Sequence, residues 1–145
     1  MTFFINSLIL GQTDSSSDST CGVFGIACSI DGAPEKSMLK TILLVNHSNK
    51  TQLLKWTSSD DPQDQIHGYV GLYLMMRNGF HLSNAEKKQM KKVENSEIYV
   101  EYCAGCDYGK KEKINVLLAK KRLKGFYSWY KNFGWSGMKN IPYEY

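Results

Sequence analysis

Between residues 113 and 131 the sequence sorts its lysines and its large apolar residues onto opposite sides of a helix. At about 100° per residue, Lys113, Lys120, Lys121, Lys124 and Lys131 share an arc of roughly 100°. Ile114, Val116, Leu118, Leu123, Phe126, Tyr127, Trp129 and Tyr130 fill most of the rest. Such a segment cannot stand free in water. Its apolar side needs a core, and its lysine side needs solvent or a partner. A long helix over about 112–133 is therefore expected. Two residues break its pattern. Arg122 falls inside the apolar arc, where its stem can lie along apolar surface or its head can pair with an acid. Gly125, in mid-helix, costs roughly 1 kcal/mol relative to Ala, and implies close packing or a kink.

A shorter helix repeats the design. Ser83 and Glu86 have the spacing of a capping box and predict a helix over 84–94. Lys87, Lys88, Lys91 and Lys92 share one side of it, and Ala85, Met90 and Val93 the other. Strands are expected at 2–10, 21–30 and 96–103, from their β-branched and aromatic content. A central strand is expected at 66–76, where both alternating faces are largely apolar. Pro34 and Glu35 suit a helix's first turn, but periodicity leaves the stretch after them open between helix and strand. Residues 11–20 read as a flexible Ser-rich connector, 57–65 as a polar loop, and 77–79 and 103–109 as turns. A chain of 145 residues is enough for one domain with a real core. The expected fold is α+β: a single compact domain over 1–145, with a small, mainly antiparallel sheet of four or five strands and two or three helices packed on it.

The charge is lopsided. Residues 1–75 carry four lysines against seven acids, and residues 76–145 carry fourteen Lys or Arg against seven. That second half points to an anionic partner, set against the plainer reading of a solvated face. If the two helices share one side of the sheet, their stripes join into a patch of nine lysines: 87, 88, 91, 92, 113, 120, 121, 124 and 131. Trp135 and Tyr143, in the aromatic tail, are candidate anchors beside it. The leading expectation is a small non-enzymatic accessory or inhibitor-type protein that docks on nucleic acid or an acidic protein surface. The Lys- and Asn-rich, Pro-poor composition is of the kind that AT-rich genomes encode, phage and viral genomes among them.

Four cysteines stand at 21, 28, 103 and 106. No basic residue or clear cleavage pattern accompanies the apolar run 3–10, and that run is far shorter than the roughly 20 residues of a bilayer span. A cytoplasmic protein with reduced thiols and no membrane contact is the expectation. Cys103-x-x-Cys106 has a spacing used for zinc or redox chemistry. No second pair completes a zinc site, and ordinary half-buried thiols are the plainer reading. No cofactor or metal is expected.

Cys21-Gly22-Val23-Phe24-Gly25-Ile26 resembles the start of class II glutamine amidotransferases, hydrolases whose mature chain begins at the nucleophilic cysteine. Asn46 to Lys50 lies where that family has a His-Arg-Gly-Gln run, without its Arg and Gly, and Arg77-Asn78-Gly79 is similar to its oxyanion-hole segment. The resemblance implies Cys21 as nucleophile, with Asn78 and Gly79 stabilising the tetrahedral oxyanion. A third expectation is a structural subunit that assembles through its N-terminal strand, which leaves homo-oligomers open.

Overall fold

The computed structural model describes residues 22–26, 28, 34–104, 107–133 and 135–137. The strand expected at 2–10 and the connector at 11–20 lie outside them, as do Cys21, Cys106 and Tyr143.

The architecture is mainly helical. Six helices and one two-stranded sheet make up the described residues, so the expected four- or five-stranded α+β sheet is not the fold. At the centre lies α3 (Pro62–Arg77), the segment expected to be a central strand. Asp61 caps it by accepting from the Gln63 N–H at 2.9 Å, and Pro62 occupies the first turn, where its missing donor costs nothing. From Ile66 to Met75 only Tyr73 is not buried. A helix apolar on every side alternates in sequence much as a two-faced buried strand does, and only the start signal at Asp61-Pro62 tells them apart.

Helices α1 (Lys36–Asn46) and α2 (Lys50–Thr57) pack on α3. The undecided stretch after Pro34 thus becomes a helix, and half-buried Leu39 and Leu43 join buried Met38 and Ile42 along it. The α2–α3 approach is close because α3 carries glycine there. A Cβ on Gly68 would lie 2.7 Å from the Leu53 carbonyl oxygen, and one on Gly71 would run into the Leu53 side chain. Helix α4 (Asn84–Glu94) has the expected bounds, and both halves of its capping box form.

The second half departs from expectation between residues 107 and 119. Strand β1 (Tyr99–Ala104) pairs antiparallel with β2 (Asp107–Lys113), which takes up part of the expected turn and the start of the expected long helix. A short α5 (Ile114–Leu117) follows, and α6 (Lys120–Asn132) comes after a break at Leu118-Ala119. The 112–133 helix is therefore two helices, with Lys113 outside both. A 3₁₀ turn spans Trp135–Gly137.

Of the strand expected over 21–30, the described residues form one parallel bridge, Phe24 to Tyr102. The Phe24 N–H donates to Glu101 O, and the Cys103 N–H donates to Phe24 O, each at 3.0 Å. The Gln63 amide extends this ladder: its Oε1 accepts from the Glu101 N–H at 2.7 Å, and its Nε2 donates to Gly22 O at 2.8 Å. Phe24 is buried, edge-on to His67 (5.4 Å) and tilted against Phe126 (5.0 Å). Cys28 and Cys103 are joined in a disulfide, with a Cα–Cα distance of 5.3 Å. The expectation of unpaired thiols is corrected for these two residues, and Cys103 is not free to serve a zinc site with Cys106.

Candidate functional site

Helix α6 buries Leu123, Phe126 and Tyr130. The side beside that buried stripe carries Lys120, Lys124, Tyr127 and Lys131, spaced i, i+4, i+7 and i+11 and therefore nearly collinear. Across from them stands the last turn of α3. Its Arg77 guanidinium lies over the Tyr127 ring, 4.4 Å from the centroid. This seats a fourth cation midway along the lysine line, held by a ring and not by a carboxylate.

Two recesses open on either side of Arg77. One, about 280 Å³, lies between Arg77, Tyr73 and Glu94 on one wall and Lys120 and Lys124 on the other. The second, about 590 Å³, is lined by Ser48, Arg77, Asn78, Phe80, Lys131 and Ser136, among others. A hydrogen-bonded chain forms its floor. The Tyr130 hydroxyl donates to Asn46 Oδ1 at 2.7 Å, Asn78 Nδ2 donates to the Tyr130 oxygen at 3.2 Å, and Asn46 Nδ2 donates to Trp135 O at 2.6 Å. Burial pushes the Tyr130 phenol up, so it stays a neutral donor. Three helices and the 3₁₀ turn are thereby fixed to one another beneath Arg77 and Lys131.

The electrostatics are one-sided. Ion pairs among the described residues include Lys50–Glu86 (3.0 Å) and Lys91–Glu94 (3.3 Å). Arg77, Lys120, Lys124 and Lys131 belong to neither. Glu94 faces the smaller recess, but it is engaged by Lys91 and by the Tyr69 hydroxyl, which burial and this carboxylate together push up to about 12. Helix α6 also starts against its own dipole. Ala119 gives no side-chain cap, no acid stands in the first turn, and Lys120, Lys121 and Arg122 sit at the positive end.

The residues singled out from sequence divide into groups. Lys120, Lys124 and Lys131 come together. Lys121 is exposed roughly a quarter-turn away on the same helix. Lys113 ends β2 half-buried, its ammonium 5.9 Å from the Tyr99 ring centroid. Lys87, Lys88, Lys91 and Lys92 are exposed on α4, where Lys88 and Lys92 border a separate recess with Gln89 and Thr57. Trp135 is packed against Trp129 (5.8 Å) and the core, not held out as an anchor. Sequence reasoning missed Phe80, read Arg77 only as part of a turn, and weighed Asn78 only as a turn residue and as the oxyanion donor that the resemblance implies. The end of a buried helix there, with a basic last turn, was the signal.

Of the residues of the amidotransferase resemblance, Cys21 lies outside the described residues. Gly22, next to Cys21, is held by Gln63 at the start of α3. Asn78 and Gly79 follow the other end, about 22 Å away along the helix. Asn78 is a helix C-cap with its amide spent on Tyr130. No group of three metal-ligating side chains occurs among the described residues, and no helix among them is long and apolar enough to cross a membrane. No protein-family model matches the chain, and no curated protein or solved structure is significantly similar to it.

Proposed function

We propose that this chain is a non-enzymatic binding protein that engages an extended polyanion along α6, nucleic acid first and an acidic protein surface second. The observation that carries the reading is the seating of Arg77 on Tyr127 between Lys124 and Lys131. It makes one line of four cations without carboxylate partners among the described residues. Lys120 to Lys131 spans about 16 Å of helix, which suits a row of charges better than a single carboxylate. The uncapped, cation-bearing start of α6 supports it: those charges cost stability alone and recover it against an anion. With Cys28 and Cys103 joined, an oxidising compartment fits the pair better than the cytoplasm that unpaired thiols led one to expect.

The test is fluorescence polarisation with a labelled single strand, a duplex and an acidic peptide. The triple variant Lys120→Glu, Lys124→Glu, Lys131→Glu should lose binding while its circular dichroism stays that of the parent. Removing three phosphate contacts should flatten the plot of log affinity against log salt by about 2 to 3 units of slope. Undiminished binding by the triple variant at physiological salt refutes the assignment.

A further inference from the structure

Arg122 and Gly125 break the pattern of α6 separately, one by polarity and one by helix propensity. In the folded chain both line the same cavity, on the opposite flank of α6 from the lysine line. Its other walls are apolar: Phe24, Ile26, Tyr102 and Phe126, with Cys103 of the disulfide. The volume is about 260 Å³. At about 30 Å³ per water, that is room for one aromatic ring with a short arm.

The two anomalies have complementary consequences. A Cβ built on Gly125 meets nothing within 4 Å, so the glycine is not there for close packing within the chain; its missing side chain widens the cavity. The other glycine of the wall, Gly25, does pack closely: a Cβ there would press on both disulfide sulfurs. Arg122 is exposed and belongs to no ion pair among the described residues, so the acid that would explain a guanidinium in an apolar arc is not supplied by them. A mainly apolar pocket with one convergent charge is the usual form of a small-molecule site.

We propose that this cavity binds a small aromatic carboxylate, with its ring between Phe24, Tyr102 and Phe126 and its carboxylate paired with Arg122. Gly125 is the residue that leaves space for the ring. The lysine line of Lys120, Lys124 and Lys131 takes no part in the site, and Arg122 is the one cation of the helix start that the two readings share.

The probe is 3-phenylpropionate, with uncharged 3-phenyl-1-propanol as its control, titrated into the 15N-labelled full chain. Amide shifts of residues 24–26, 102–103 and 122–126 should move and saturate. An eleven-atom ligand of ordinary efficiency gives a dissociation constant of about 1 mM. Arg122→Gln should weaken the carboxylate by about tenfold and leave the alcohol unchanged, as loss of one charge-assisted contact does. Gly125→Leu should abolish both while the rest of the spectrum stays in place. If Gly125→Leu does not fold, Arg122→Gln decides alone. No saturable shift up to about 10 mM, or equal affinity for carboxylate and alcohol in the parent, overturns the proposal.

Discussion

His67 is the residue that most constrains the behaviour of the fold in acid. It is fully buried in α3, with Nδ1 2.7 Å from Gln63 O, Phe24 edge-on to its ring, and Nε2 without a hydrogen-bond partner among the described residues. Desolvation holds its pKa down at about 4, against 6.5 in the open chain, and the nearby Asp64 and Asp61 offset only part of that. Between these two values the unfolded chain binds a proton that the folded chain refuses, so stability rises with pH across that window and is lost as pH falls. The loss from pH 7 to pH 4.5 is about 2 kcal/mol from this group. Urea melts of the parent and of His67→Leu at both pH values will measure it. The parent should lose that much more than the variant on acidification, and equal losses would show that the imidazole is not the cause. His67 carries no local sequence signal of this behaviour. Its burial follows from the all-round apolarity of its helix, which no single residue announces.

At the scale of elements, two glycines in helices should answer the same substitution with opposite signs. Gly68 lies where α2 presses on α3, with the Leu53 oxygen and the Thr57 nitrogen 2.7 and 2.8 Å from where a Cβ would be. Gly68→Ala must push backbone apart, and should cost about 1–3 kcal/mol or more. At Gly125→Ala nothing opposes the methyl, and the gain should be about 1 kcal/mol from helix propensity and a stiffer unfolded chain. Thermal and urea melts of the two variants check both signs. Elements whose signals are local were readable in the sequence. The Ser83–Glu86 capping box gave the bounds of α4, and the Asn78-Gly79 turn falls where expected, with Gly79 at a φ of 93°. Elements defined by their neighbours were not. The alternation over 66–76 fits a strand until α1 and α2 are seen to cover the same residues, and β2 reads as a turn running into a helix until it pairs with β1. The site divided along the same line. Lys120, Lys124 and Lys131 were legible because one helix sets their spacing. Arg77 was not, because only the packing of α3 against α6 brings it there.

Across the whole molecule, the segment around Phe24 is tied to β1 and α6 by one disulfide and one buried ring. The segment around Phe24 is remote in sequence from β1, yet the Cys28–Cys103 disulfide ties the two across a separation of 75 residues. Closing a loop of that length stabilises a fold by up to about 4 kcal/mol through the unfolded chain. The effect should not be uniform. The packing of α1, α2 and α3 uses neither cysteine. Phe24, by contrast, is what Phe126 of α6 rests on, and its backbone carries the bridge to Tyr102. In Cys28→Ser, Cys103→Ser, or under dithiothreitol, Phe24 loses its nearest covalent anchor. Hydrogen exchange should then quicken first in β1 and α6, while the amides of α1 to α3 keep their protection, as separate cooperative units would. The lysine line rides on α6, so polyanion binding should weaken in parallel even though no lysine has changed. Exchange that quickens equally in every helix would mean that the disulfide supports the molecule as a single unit, and that α6 does not depend on Phe24 for its place.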